Sequence, residues 1–380
     1  MPWQEVSIVS LRKEFVELAL KPGANVQQLC RRFGISAKSG YKWLNRFKAM
    51  GAVGLQNQSR RPKHSPRRTS SGTEKAIVAL RVKHPEWGAR KLLERLAHLG
   101  HDQLPAPSTG QAILKRWGCI GKEATEQHKA FVRFEHAQPN SLWQMDFKGW
   151  FLLLDGQICH PLTVLDDHSR FSLGLRACGN QQGRTVQEQL RALFERYGLP
   201  RSIGVDNGPP WGDSHEHPFT PLGVWLIRHG IGVWHSRPYH PQTLGKDERF
   251  HRTLKAELLA HERFDDLQCA QQRFDAWREI YNFERPHHAL GGSTPATRYR
   301  PSSRSFPATP PPIEYAPDCQ IRKVDEEGRI RFQARRLRIG KAFRSYPVGI
   351  RPTTRDGAWE VYFCNQRIRT VDLTAPDSLP

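Results

Sequence analysis

Apolar residues in the first fifty positions recur at three- and four-residue intervals, the period of helices packed on one face. Three helices are predicted there, "SLRKEFVELALK", "NVQQLCRRFG" and "SAKSGYKWLNRFKAMG", with Val26, Leu29, Cys30, Phe33, Ile35, Leu44 and Phe47 at core spacing. Asn25 and Ser36 are residue types that cap helix N-termini, and the short "GIS" turn gives the last two helices helix-turn-helix grammar. A second helical block follows in "TEKAIVALRVKH", "GARKLLERLAHLG" and "STGQAILKRWG", where Ser108 or Thr109 is the expected cap of the third helix and Lys115 and Arg116 are expected to be exposed. This block reads either as a second helix-turn-helix-like unit or as a structural adaptor.

Near residue 140 the pattern changes. "SLWQMDFKGWFLLLDG", "CHPLTVLDDHSRF" and "SLGLRACG" predict successive strands with turns at Asp155-Gly156 and around Asp167-His168. The amphipathic helix "TVQEQLRALFERYG" comes next, with Val186, Leu190, Leu193 and Phe194 on its apolar side. Strand "RSIGVDN", helix "LGVWLIRHG", strand "IGVWHSRP" and a long helix after "RPYHPQTLGKDERFHRTLK" complete the block. Hairpin-like strands followed by alternating helix and strand predict a mixed α/β sheet with helices on both faces. Beyond residue 318 short alternating runs with turns at Glu327-Gly328 and Asp356-Gly357 predict a small all-β barrel or sandwich.

These changes of period divide the chain. A helix-turn-helix domain is expected over 1–58, a basic linker over 59–72, and a second helix-turn-helix-like domain over 73–128. An α/β domain follows over 129–300, a proline-rich tether over 301–317, and a basic β-barrel-like domain over 318–380. The fold class is therefore multidomain: an all-α helix-turn-helix N-terminal part, a central α/β domain with a mixed sheet, and a small all-β C-terminal domain.

Charge narrows the partner. Lys and Arg number 58 against 37 Asp and Glu, a net charge of +21, which suits a polyanion, and nucleic acid above all. No apolar run approaches the roughly 20 residues of a membrane-spanning helix, and the opening "MPWQEVSIVSLRKEF" lacks the pattern of a signal peptide. No membrane partner and a cytosolic location are expected. The seven cysteines are scattered and never form a CxxC pair, so reduced thiols are expected in place of a disulfide framework or zinc site. On the third helix Ser39, Lys42 and Arg46, with Lys38 and Asn45 beside them, form the face a recognition helix lays in the major groove. The plain alternative is a three-helix bundle with a solvated basic face.

Within the α/β block three carboxylates occupy positions suited to phosphodiester chemistry. Asp146 lies in the first strand, Asp206 ends the strand before "NGPPW", and Glu248 lies in the long helix. Strand ends and an adjoining helix can converge at one sheet edge, where carboxylates hold two hard cations roughly 3.5 to 4 Å apart. Glu248, Arg252 and Lys255 fall on one helical face, and Lys246 and Arg249 add positive charge for phosphates. A salt-bridged surface helix is the alternative for that segment taken alone. Asp166 and Asp167, in a hairpin turn, are rival carboxylates better suited to capping. His235, His240 and His251 lack the spacing of a zinc site.

"WQMDFKG", "VLDDHSRF", "VDNGPPW", "SRPYHPQTLGKDERFHRTLKAE" and "YNFERPHHALGGSTPATRY" together resemble, in order and over about 160 residues, the core of bacterial insertion-sequence transposases of the retroviral-integrase superfamily. The flanking helix-turn-helix units and basic β domain resemble it too. The resemblance implies an RNase H-like fold and a catalytic and metal-binding triad of Asp146, Asp206 and Glu248. It also implies Mg²⁺ or Mn²⁺, two ions per site, and an oligomer, at least a dimer, on DNA that comprises terminal inverted repeats and target. The implied activity is metal-dependent nicking of element ends and joining of the 3′-hydroxyl to target by transesterification. A catalytically silent DNA-binding regulator and a metal-dependent nuclease are the alternatives. Two features depart from the family pattern. Forty-one residues separate Asp206 from Glu248, more than the commonest spacing, with the surplus in "WGDSHEHPFTP"; and Leu244 stands where many relatives carry a polar residue.

Overall fold

The computed structural model describes residues 7–58, 68–120, 135–212, 219–235 and 245–373. The chain forms two compact units, 1–68 and 69–380.

In the first unit helices α1 (Ile8–Ala19), α2 (Val26–Arg32) and α3 (Ala37–Met50) enclose Phe15, Val16, Cys30, Leu44 and Leu55. Asn25 and Ser36 cap α2 and α3 as expected, each accepting from the backbone N–H three residues on. Gly40 explains how closely α3 approaches its partners: a Cβ there would stand 2.3 Å from Cys30 Sγ and 2.9 Å from Phe15. Packing therefore outweighs the low helix propensity of glycine.

The second unit begins with α4 (Ser71–Lys83), α5 (Ala89–His98) and α6 (Pro107–Arg116), built around Ile77, Trp87, Leu92, Leu93, Leu96, Ile113 and Leu114. Ser70 caps α4, so that helix starts inside the stretch read as linker, while residues 59–67 lie outside the described residues. Neither Ser108 nor Thr109 caps α6. Pro107 occupies its first turn, where a missing N–H costs nothing and a fixed φ favours the start. Lys115 and Arg116 are exposed as expected, yet Arg116 is held 2.6 Å from the buried Glu74, which also accepts from Trp117 Nε1. This block shares ion pairs with the α/β domain, Arg95 to Glu284 at 3.2 Å among them.

The central sheet contains β1 (Trp143–Phe147), β2 (Phe151–Leu152), β3 (Ile158–Asp166), β4 (Ser172–Cys178), β5 (Ser202–Val205) and β6 (Gly232–His235). β3 pairs along one edge with β1 and, further on, the short β2, and along the other with β4, while β5 and β6 continue beyond β1. The β1–β3 and β3–β4 pairs are antiparallel, and β1–β5 and β5–β6 parallel, the mixed sheet the sequence predicts. Alternation along β1 sends Trp143 and Met145 into one core with α7 (Gly183–Tyr197) and α8 (Pro221–Arg228). On the opposite face Leu165 and Leu175 meet Phe250 and Leu254 of α9 (Gly245–Leu254) and Phe274 and Trp277 of α10 (Leu267–Glu279).

The C-terminal strands are β7 (Gln320–Lys323), β8 (Arg329–Phe332), β9 (Arg335–Arg338), β10 (Pro347–Pro352), β11 (Ala358–Phe363) and β12 (Gln366–Asp372). They form a four-stranded sheet, β12-β11-β10-β7, and a separate β8-β9 hairpin, an open two-sheet arrangement and not a ring of bonded strands. Their core is continuous with that of α7 and α8.

The proline-rich stretch 301–317, read as a tether, is instead strapped to the α/β domain. Leu199 N–H donates to Arg304 O, and Ser302 N–H to Tyr197 O. The Arg304 guanidinium donates to the carbonyls of Pro200, His229 and Gly230, while Phe306 packs among Phe194, Trp225 and His229. Proline content excluded regular structure here, but the aromatic and the arginine gave the segment partners that composition could not reveal. Gln366 makes a second tie, donating to Val233 O and accepting from Val233 N–H, both at 2.9 Å, along edge strand β6. All seven cysteines are free thiols, and no described helix is long and apolar enough to cross a membrane.

Candidate active site

Register sets the first two carboxylates. Trp143 pairs with Ile203 and Gln144 with Gly204 in the parallel β1–β5 ladder, so two residues further Asp146 and Asp206 stand side by side at adjacent strand ends. Asp146 Oδ1 accepts from Phe147 N–H at 2.7 Å, and Asp206 Oδ1 accepts from Gly208 N–H at 3.1 Å. Burial first, and then the charge of Asp206, push the Asp146 carboxyl up to about 6. Burial also raises Asp206. Two like charges face one another without a Lys or Arg ion pair among the described residues, the electrostatic state that divalent cations relieve.

Helix α9 closes this edge. Its buried stripe is Asp247, Phe250, His251 and Leu254. Asp247 is 0% exposed, and its carboxyl is raised well above the usual range by burial first and by Asp146 second. Thr163, which pairs across the sheet with Asp146, brings its hydroxyl to 2.9 Å from Asp146 O, 3.0 and 3.1 Å from the Asp247 oxygens and 2.8 Å from His251 Nε2. Burial, with a smaller effect from Lys148, pushes the His251 imidazole down to about 3. Ligand atoms of Asp146, Asp247 and His251 lie within 4.8 Å of one another.

Glu248 occupies the other side of the same helix. Its side chain is 67% exposed and faces Arg252 at 3.7 Å. Glu248, Arg252 and Lys255 thus share an exposed face, with Arg249 also exposed. The structure brings Asp146 beside Asp206 and places Asp247, the neighbour of Glu248, against Asp146. Lys246 is committed elsewhere: its ammonium pairs with the Asp167 carboxylate and donates to Asp167 O at 3.1 Å. Burial pushes it down to about 8 despite that partner.

The rival acids have turn roles, as expected. Asp166 accepts from the backbone of Asn140 and Ser169 and from the Ser169 hydroxyl. Asp167 accepts from His136 N–H and Gln144 Nε2. The zinc reading of the histidines needs a partial correction. His240 lies outside the described residues, and His235 donates Nδ1–H to Asp206 O at 3.0 Å. His251, however, does join a potential ligand set, with carboxylates from Asp146 and Asp247 in place of the Cys/His spacing that sequence inspection sought. The signal for Asp247 was available: an acid at i on the stripe Phe250, His251, Leu254.

On α3, Lys42 and Asn45 are exposed and Ser39 and Arg46 half-buried. The guanidinium of Arg46 and the ammonium of Lys42 stand 5.2 and 4.9 Å from the Trp43 ring centre, with Arg12 at 3.8 Å on the same ring. The indole draws three cations to one patch.

Comparison with known proteins gives five domain matches. Residues 136–241 and 229–295 match integrase core domains, and residues 319–378 match the C-terminal domain of IS481 family transposases. Residues 11–63 match a helix-turn-helix domain and 39–114 a homeodomain-like domain. The insertion element IS476 uncharacterized 39.2 kDa protein of Xanthomonas euvesicatoria is 30% identical over 160 residues, 42% of this chain and 44% of that protein. The IS407 uncharacterized 31.7 kDa protein of Burkholderia multivorans is 27% identical over 158 residues, 42% and 54% of the two chains. The chain thus spans about half the length of these relatives. Among solved structures, the catalytic core domain of BIV integrase is 24% identical with a TM-score of 0.32, covering 42% of this chain and 92% of that one. The HTLV-2 integrase catalytic core in complex with magnesium is 18% identical with a TM-score of 0.32, covering 43% and 97%.

Proposed function

The chain belongs to the insertion-sequence transposases of the retroviral-integrase superfamily, and from that premise we propose that it is a DNA strand transferase. It binds the terminal inverted repeats of a mobile element, nicks each end and joins the freed 3′-hydroxyl to target DNA. The observation that carries this reading is the pairing of Asp146 and Asp206 at adjacent parallel strand ends, at the sheet edge that α9 closes.

The donor set suits the hard divalent cations of the family: adjacent carboxylate oxygens with unrelieved like charge and a raised Asp146. Asp146 and Asp206 would hold Mg²⁺ or Mn²⁺, and the family resemblance adds Glu248 and two ions per site, although Glu248 stands on the exposed side of α9 in this structure; the ions would activate the attacking oxygen and stabilise charge on the leaving oxygen. The rest belongs to the protein. Arg249, Arg252 and Lys255, on the exposed face of α9 and its continuation, grip phosphates of the donor end. The Asp206-Asn207-Gly208 turn fixes one carboxylate through its own backbone. Ser39, Lys42, Asn45 and Arg46 read the repeat in the major groove. Lys246 pairs with Asp167 and pins the start of α9, so in this structure it acts as a positioning residue and not as a phosphate clamp. The reaction is carried out in the cytosol by an oligomer, at least a dimer, that pairs two element ends.

Purified protein, element-end duplex and Mg²⁺ test the reading. Wild type is expected to nick and join, and Asp206→Asn and Glu248→Gln to lose both while still shifting the DNA in a gel. Undiminished joining by either variant removes that residue from the triad. Wild type that binds the end but yields no nick is a regulator, and nicks without joined product mark a nuclease.

A further inference from the structure

Helix α9 presents a second donor set on the face opposite Glu248. Asp247 and His251 are one helical turn apart, both on the buried stripe, and strand β1 brings Asp146 to them, with ligand atoms all within 4.8 Å.

The local charge does not balance. Asp247 is completely buried, and its two oxygens share a single hydroxyl, that of Thr163, which also lies on Asp146 O and His251 Nε2. One hydroxyl proton cannot serve the three oxygen acceptors at once, and His251 Nε2 donates to or accepts from that hydroxyl according to its tautomer. No Lys or Arg among the described residues pairs with Asp146 or Asp247; the nearest basic contact is His251 itself, 3.5 Å from Asp247. Three other buried acids have a base, Asp167 with Lys246, Glu74 with Arg116 and Glu257 with Arg285, and buried Asp166 has three hydrogen-bond donors instead. A buried carboxyl beside a second one, without a Lys or Arg partner, can exchange its proton for a bound cation.

We propose that Asp146, Asp247 and His251 bind a divalent transition ion of the Mn²⁺, Co²⁺ or Zn²⁺ class, at a site distinct from the Asp146–Asp206–Glu248 set but sharing Asp146 with it. The imidazole selects the class: Mg²⁺ favours an all-oxygen shell, whereas borderline ions accept a nitrogen donor. Such an ion ties α9 to β1 and thereby fixes the helix on whose outer face Glu248, Arg249 and Arg252 stand. The role of the site, though not its existence, rests on the strand-transfer reading above.

Pulsed EPR of Mn²⁺ titrated into the full-length protein tests the proposal without reference to activity. Wild type is expected to bind Mn²⁺ with ¹⁴N modulation from a coordinated imidazole. His251→Gln should abolish the modulation, and both His251→Gln and Asp247→Asn should weaken this class of binding about tenfold or more. Asp206→Asn, which leaves the three ligands in place, should keep the modulation. Circular dichroism melts show whether each variant is folded; if one is not, the other and the wild-type spectrum still decide. Oxygen-only Mn²⁺ in wild type, or nitrogen modulation that persists in folded His251→Gln, overturns the site. Mg²⁺-dependent nicking, measured on the same preparations, separates the two readings. Nicking with oxygen-only Mn²⁺ removes this site and leaves the function, whereas nitrogen-bound Mn²⁺ without nicking upholds the site and removes the function.

Discussion

Lys91 on α5 is a cation held at some expense. Burial first, and Arg285 second, push its ammonium down from the usual lysine range to about 8, with Glu257 and Glu94 opposing the shift. At pH 7 the folded and unfolded states both carry the proton, and only the folded state bears the penalty. As pH rises past 8 the folded state sheds the proton, and stability grows until the unfolded chain does the same above its own, higher pKa. Lys91→Met is therefore expected to stabilise the protein at pH 7 by about 1–2 kcal/mol, allowing for partial exposure. The difference should shrink between pH 8 and 10.5, as read by urea unfolding at several pH values. Gly40 poses a steric problem at the same scale. Gly40→Ala gains helix propensity but drives a methyl into Cys30 and Phe15, so α3 must shift. A net loss of about 1–3 kcal/mol is expected, and thermal unfolding of the variant measures it.

At the scale of elements, a side chain does the work of a strand. Gln366 completes the exposed ladder of β6 with one donated and one accepted bond to Val233, which shields an edge that would otherwise invite pairing. Gln366→Ala is expected to cost about 1–2 kcal/mol, from two hydrogen bonds of about 1 kcal/mol each, and to speed amide exchange at Val233 as followed by hydrogen–deuterium exchange. The strap at 301–317 works by the same logic, since Arg304 and Phe306 convert an irregular, proline-rich segment into a packed one. Helix α9 separates two tasks by its period. Its inner stripe meets the sheet and its outer stripe faces solvent, so adjacent acids, Asp247 and Glu248, have opposite surroundings.

For the whole molecule, a net charge of +21 is expected to make counterion release the main term in the proposed binding to DNA. Affinity for an element end is expected to fall steeply with salt. Arg249→Ala and Lys255→Ala should each reduce the slope of log K against log salt by about one, roughly equally for specific and non-specific DNA. Asn45→Ala, on α3, the helix proposed to read the repeat, should instead lower the preference for element ends over other duplexes. Fluorescence anisotropy across a salt series separates the two behaviours. If all three variants change only the slope, α3 contributes charge and no sequence reading.

Local pattern alone determined the helices of both N-terminal blocks, the caps Asn25 and Ser36, the strand and helix order of the α/β block as far as α9 apart from the break between β1 and β2, and the all-β character of the C-terminal part, but not helix α10. Each follows from periodicity and capping chemistry between residues close in the chain. The three carboxylates proposed as the triad rest on local motifs and on the resemblance that supplied their order, whereas the fold sets Asp146 beside Asp206 and turns Glu248 to the exposed side of α9. Only the tertiary structure decided which charges meet. Lys246 found Asp167, 79 residues away, in place of a phosphate; Gln366 found β6, 133 residues away; and Asp146 met Asp247 and His251 because sheet register and helix phase combined. Such pairings depend on contacts between segments whose separation no local period encodes, and they decide whether a carboxylate is a cap, a salt-bridge partner or a ligand.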